Sequence, residues 1–219
     1  MNGPMNGAES LVRTLLAGEV DVCFTNPGTS EMHFVAALDQ VPGMRSVLAL
    51  FEGVATGAAD GYYRMSGRPA STLLHLGPGL ANGLANLHNA KKAGSGVVNI
   101  VGQHATGHIA LDAPLTSDIE GIARPVSHWV QTSRRSADVG PDGARAIAAA
   151  RTPPGQVATL ILPGDTAWDA GGVVAGPLAI PTRPPVPDAA VEAAVEMLRQ
   201  PDSLLLLGGI ALEIGRAHV

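Results

Sequence analysis

The chain has 219 residues, 46% of them hydrophobic and only 15% charged, enough apolar material to bury the core of one full domain and part of another. Its formal charge of −5 arises from 14 Lys and Arg against 19 Asp and Glu, with no basic run and only 3% aromatics, which argues against nucleic acid and against an anionic membrane surface as partners. A single cysteine, Cys23, excludes an internal disulfide framework and suits a reducing compartment.

The opening MNGPMNGAES lacks a basic segment followed by an apolar one, so no signal peptide is expected. No run approaches the ~18 apolar residues that a membrane span requires. A cytoplasmic protein is expected on these grounds. The first helix is expected over 8–17 and the first strand over 20–25, with Cys23 as a buried structural thiol. TNPGTSE (25–31) follows, where Pro27-Gly28 makes a tight turn, Thr29 or Ser30 caps a helix over 30–39, and Glu31 lies in its first turn.

A second strand, 46–51, runs into Glu52 and then a helix, 53–66, rich in Gly and Ala. Taken alone, Glu52 reads as a first-turn glutamate favoured by the helix dipole. Its flanks Leu48, Leu50, Phe51 and Val54 are all apolar, however, and a desolvated carboxylate holds or shares a proton. Gly53, Gly57 and Gly61 weaken the helix, so their expected use is steric, letting another backbone or a flat ring approach.

The third strand, 70–75, ends at His75, followed by Gly77-Pro78-Gly79 as a loop and a helix over 79–91 with Asn82 in its first turn. The spacing of Gly77, Gly79 and Gly83 is one residue too long for the dinucleotide fingerprint. No acid occurs between Asp60 and Asp112, so a nicotinamide site is disfavoured. A fourth strand, 97–101, leads to VGQHATGH. His104 and His108 have metal-helix spacing there, but Gly107 and the turn-like surroundings favour two solvated histidines over zinc. GSG at 94–96 lacks the nucleophile-elbow pattern.

Helices over 116–122 and 140–151 and strands over 126–131 and 157–162 complete the alternation. Together these elements predict an α/β fold, a mostly parallel sheet with helices on both faces. Five prolines between Pro177 and Pro187 mark a linker, placed at 169–187. A helix over 188–199 and a strand over 203–209 read as the truncated start of a second α/β domain, 188–219. The final EIGRAHV (213–219) can be back-translated as GAGATCGGAAGAGCACACGTC, the form of a sequencing-adapter read-through, so the native frame is expected to end near Ala211 or Leu212.

Four stretches, VDVCFTNPGTSE, FEGVATGAADGYYRMSGRPA, LGPGLANGLANLHNA and VNIVGQ, in this order and on the expected strand ends, resemble the N-terminal pyrimidine-binding domain of thiamine diphosphate enzymes, over about residues 7–168. The group includes acetolactate synthase and benzoylformate decarboxylase. The resemblance implies that Glu52 contacts N1′ of the cofactor's aminopyrimidine and promotes its imino form, so that the thiazolium can attack a 2-oxo acid and carbon dioxide can leave. It also implies that Gly28, Thr29, Gly77, Pro78, Gly79, Asn82 and, more distantly, Gln103 line the cofactor and substrate cleft. His75 matches an active-site histidine of benzoylformate decarboxylase, and Glu52 and His75 are the expected catalytic pair. Leu50-Phe51 stands where many acetolactate synthases carry Arg-His, whereas the LGPG loop is similar to the synthase type.

The resemblance further implies thiamine diphosphate with Mg²⁺, the metal being held by a Gly-Asp-Gly…Asn motif in a C-terminal domain, so no metal ligand is assigned in this chain. FAD binds the central domain of many synthases. The expected partners are a 2-oxo acid and further copies of the chain, as a homodimer or homotetramer with active sites between subunits and the Gly/Ala helix at the contact. The 219 residues alone are expected to bind little thiamine diphosphate and to be inactive. A non-catalytic cofactor-binding homologue is the alternative from another class, and a complete sequence without the metal motif would favour it.

Overall fold

The computed structural model describes residues 4–183 and 185–206. Helix α1 (Gly7–Ala17) is capped by the Asn6 carboxamide, which accepts from the Glu9 amide. Strand β1 (Val22–Asn26) follows, then a 3-10 turn (Thr29–Glu31) and α2 (Met32–Gln40). Strand β2 (Arg45–Leu48), α3 (Glu52–Ser66), β3 (Ala70–Leu74), α4 (Leu76–Ala93) and β4 (Val97–Gln103) come next. After α5 (Ile119–Ala123), β5 (Trp129–Thr132), α6 (Ser136–Arg151) and β6 (Val157–Pro163), the short α7 (Gly164–Trp168) closes the series.

The six strands form one sheet in the order β2-β1-β3-β4-β6-β5, and every pairing is parallel. The α/β sheet expected from the alternation is therefore present. One core lies between the sheet and α1, α2 and α6, around Leu11, Leu15, Phe34, Ile100 and Leu160. A second lies between the sheet and α3, α4 and α5, around Leu74, Leu80, Leu87, Val101 and Ile161. β3, β4 and β6 are buried on both faces, as apolar runs in a central parallel strand must be.

A line of side chains crosses the middle of this sheet inside the apolar core. Thr72 donates to the Asn99 carboxamide oxygen (2.7 Å), the Asn99 amide donates to Thr159 (3.0 Å), and Thr159 meets Ser127 (2.7 Å). The first three are fully buried and directly opposed in register, so each group's hydrogen-bonding partner stands on the neighbouring strand.

Cys23 lies in the first core, and burial pushes its thiol from the ordinary 9.0 up to about 12, against a lowering hydrogen bond to Ser71. Between about pH 9 and 12 the unfolded chain loses this proton while the folded chain keeps it, so stability falls as pH rises through that window. The native protein is expected to be inert to a thiol-labelling disulfide reagent at pH 8 and to react with one equivalent once unfolded; prompt native labelling would contradict the buried placement.

Three expectations are corrected. Helix α4 begins at Leu76, not 79, so Gly77-Pro78-Gly79 is the helix's first turn rather than a loop. Proline is tolerated there because those amides lack intrahelical acceptors anyway. Leu76 enters that turn at φ +52, an unfavourable left-handed conformation for a buried leucine. Second, β2 stops at Leu48 and is an edge strand, so Leu48, Leu50, Phe51 and Val54 are exposed instead of drying the surroundings of Glu52. Third, α6 starts at Ser136 and runs through Pro141, four residues earlier than expected.

Contact grouping divides the chain into Met1–Ile180 and Pro181–Val219. In the first unit, Asn6 bridges Ala170, and the Ala175 amide donates to Thr14 of α1 (3.1 Å). In the second, α8 (Asp188–Leu198) is the described element, with Val191, Val195, Met197 and Leu198 exposed. Of the strand expected at 203–209, residues 203–206 are exposed and unpaired, since a strand needs a neighbour to form its ladder; 207–209 and the 213–219 tail lie outside the described residues. Among the described residues no helix is long and apolar enough to cross a membrane.

Candidate active site

In a parallel sheet, binding crevices form outside the carboxyl ends of strands where the winding direction reverses. Here the reversal falls between β1 and β3: from β1 the chain moves outward to β2, and from β3 it moves the other way to β4. The register Asn26↔Leu74 sets the loop after β1 beside the residue that follows β3. Stretches distant in sequence, 27–31 and 75–79, are thereby brought together, and the turn leading into Glu52 adjoins them.

That turn is held from β1. The Ala49 amide donates to the Thr25 carbonyl (2.8 Å), and the Asn26 carboxamide donates to the Ala49 carbonyl (2.8 Å). Glu52 then opens α3 and is 9% exposed. Its Oε2 accepts from Asn82 of α4 (3.0 Å), and Asn86, one turn on, donates to the Gly53 carbonyl (2.7 Å). The Thr56 hydroxyl lies against the carbonyls of Glu52, Gly53 and Gly83 at 3.1 to 3.2 Å, and a side chain at Gly83 would strike the Thr56 methyl. The small residues of α3 thus serve first a close crossing with α4 inside this chain, with Gly57 facing Asn86, while Gly61 faces open space.

Gly79 lies under the same carboxylate. A Cβ there would sit 3.1 Å from Glu52 Oε1 and 3.4 Å from the Cβ of His75, so its hydrogen leaves the space the two functional side chains share. His75, at the N-cap of α4, places Nδ1 2.8 Å from Glu31 Oε2. The same oxygen accepts the Gly28 amide (2.7 Å), and the His75 ring occupies the space that a side chain at Gly28 would need. Glu31 therefore forms one half of a capping box, and its second bond, to a residue 44 positions away, is tertiary.

Glu52, His75, Gly28, Gly79 and Asn82 are thus brought to one crevice. Thr29 is exposed at the start of the 3-10 turn, and Pro78 is exposed in the first turn of α4. Gly77 packs instead against Ser117, where a Cβ would collide with its hydroxyl. Gln103, buried at the end of β4, turns its carboxamide oxygen onto the His104 amide (2.8 Å). It lines a separate hollow of about 440 Å³ with Ser117, Asp118, Glu120, Arg124 and Thr132, whose wall includes neither Glu52 nor His75. Neither histidine lies on a helix face: His108 closes an exposed turn from Ala105, whereas His104 precedes it with its Nε2 buried, so only His108 is solvated as expected. Sequence reasoning assigned no site role to Asn26, Asn86 or Glu31.

A carboxylate at the head of one helix, held by an asparagine carboxamide of the next over a glycine at the switch point of a parallel sheet, defines a small-molecule-binding α/β domain. Residues 5–131 match the family described as "Thiamine pyrophosphate enzyme, N-terminal TPP binding domain", and the chain belongs to that family. It is 56% identical over 208 residues to the Mycobacterium tuberculosis protein named "Putative acetolactate synthase large subunit IlvX", a match that covers 94% of this chain and 40% of that protein. It is 34% identical over 143 residues to benzoylformate decarboxylase of Pseudomonas aeruginosa, covering 65% of this chain and 27% of the enzyme. The structure of the Rhodococcus jostii thiamine diphosphate-dependent 4-hydroxybenzoylformate decarboxylase superposes with a TM-score of 0.77 at 23% identity, over 89% of this chain and 37% of that one, a likeness of fold. The chain spans 40% or less of the length of these relatives.

Proposed function

We propose that these residues form the pyrimidine side of the active site of a thiamine diphosphate-dependent enzyme acting on 2-oxo acids, of the acetolactate synthase type. The carrying observation is the Glu52 carboxylate, fixed by Asn82 above Gly79 at the mouth of the switch-point crevice. The residues fit the cofactor's aminopyrimidine: a carboxyl group faces a space that a side chain at position 79 would fill, so a flat heterocycle can approach it. Once bound, the cofactor supplies the carbanion-stabilising chemistry by which a 2-oxo acid loses carbon dioxide.

The chain's own residues then have distinct tasks. Glu52 would hold the proton that the aminopyrimidine needs, and its position is kept by Asn82 and by the Thr56 and Asn86 contacts behind it. His75, 24% exposed at its side chain, has Nε2 available for a proton on the substrate side. Gly28 and Gly79 exclude bulk from both.

Mg²⁺, its ligands outside this chain, FAD in a central domain, a cytoplasmic homodimer or homotetramer, and the division into a domain of 1–168, a linker of 169–187 and the start of a second domain at 188–219 belong to the same reading. The subunit contact in it is supported by the exposed Leu48, Leu50, Phe51 and Val54 beside Glu52, an apolar strip of the kind that such contacts cover. The second reading, a benzoylformate-type decarboxylase, is favoured by His75 sharing the face of Gly79 with Glu52. The complete enzyme incubated with pyruvate and with benzoylformate decides between them. Acetolactate from pyruvate is expected; benzaldehyde from benzoylformate with no ligation product would establish the decarboxylase, and neither product would overturn the enzyme assignment.

A further inference from the structure

Glu31 is the most deeply buried carboxylate in the crevice, with its side chain 1% exposed, yet it makes no ion pair with Lys or Arg among the described residues. Its Oε2 accepts the Gly28 amide and lies 2.8 Å from His75 Nδ1. Its Oε1 is buried without a hydrogen-bond partner, over the Cα of Gly102 near the end of β4; a Cβ there would overlap the oxygen. Two glycines thus make room for the pair, Gly102 for the carboxylate and Gly28 for the imidazole. A buried acid with one unsatisfied oxygen is an expensive way to cap a three-residue turn, and a cap alone needs only the Gly28 bond.

We propose that Glu31 is a positioning residue that holds His75 with its proton on Nδ1 and presents a bare Nε2 to the reaction space beside Glu52. The protonation pattern follows from the partners. Oε2 already accepts the Gly28 amide, and an O–H on Oε1 would find no acceptor, so the carboxylate is the acceptor and Nδ1 the donor. Neutral His75 then has its lone pair on Nε2, which has no protein partner among the described residues and can accept a proton; fully protonated, it donates from the same atom. The value of this to catalysis rests on the function proposed above; the tautomer itself does not.

The test is a long-range ¹H–¹⁵N correlation spectrum of the 219-residue chain, with His75 assigned by comparison with His75→Gln. At a pH where His75 is neutral, a protonated Nδ1 and a bare Nε2 are expected; a proton on Nε2 in the unmodified chain overturns the proposal. Glu31→Ala should move the proton to Nε2, the form free imidazoles favour. Glu31→Gln should keep it on Nδ1, because only its amide oxygen can meet the Gly28 amide. An unchanged tautomer in Glu31→Ala also overturns the proposal, and if that variant does not fold, the unmodified chain and Glu31→Gln decide.

In the complete enzyme, Glu31→Ala should lower kcat by about 10- to 100-fold with a smaller change in KM, and Glu31→Gln should restore part of the loss. Loss in KM alone would refute a role in orienting the acting group. Failure of the functional reading looks different: the complete protein would then turn over neither pyruvate nor benzoylformate, whatever the spectrum shows.

Discussion

Replacement of Glu52 by Gln in the complete protein is expected, on the function proposed above, to lower turnover of a 2-oxo acid by about 10²- to 10⁴-fold, the range for loss of a positioned acid-base group. Gln has nearly the same shape and its carboxamide oxygen can still accept from Asn82, so α3 and α4 keep their crossing. What disappears is the exchangeable proton. Steady-state rates with pyruvate measure the effect, and a thermal melt of the same variant, expected within a few degrees of the parent, separates chemistry from folding. Turnover within severalfold of the parent would dismiss Glu52 as the acid of the site.

The second large effect concerns stability. Asn99→Leu removes the centre of the buried line from Thr72 to Ser127, leaving Thr72 without its acceptor and Thr159 without one donor. An unsatisfied buried polar group costs about 1–3 kcal/mol, and a chain of this size loses roughly 2–4 °C of melting temperature per kcal/mol. A fall of about 2–12 °C is therefore expected by calorimetry. The triple variant Thr72→Val, Asn99→Leu, Thr159→Val should recover much of it, since removing all partners leaves fewer orphans. A triple variant less stable than Asn99→Leu would show that packing, not hydrogen bonding, dominates at this row.

Much of this arrangement is legible in one dimension because the relevant signals are local. Apolar runs bounded by Gly and Pro mark the strands. Glu52 and His75 stand out because each ends such a run. The sheet order is not local, and the misreadings follow from it. Leu48, Leu50 and Phe51 look like the walls of a dry pocket until β2 is known to lie on the edge. Glu31 looks like an ordinary first-turn residue because its second partner stands just past the end of β3, and nothing in TNPGTSE announces a histidine 44 residues on. Gly102 carries the same lesson in reverse, an unremarked glycine in VNIVGQ whose missing side chain is what admits the Glu31 carboxylate.

The outer edge of β2 has a practical side. It is an unpaired strand edge, and Leu50 beyond it is 92% exposed, with Leu48 at 69% and Val54 at 58%. Strand edges of this kind recruit other strands when nothing covers them. Leu50→Lys is therefore expected to raise the concentration at which the 219-residue chain stays monomeric by light scattering. Under the subunit contact proposed above, the same strip is the surface a second chain would cover.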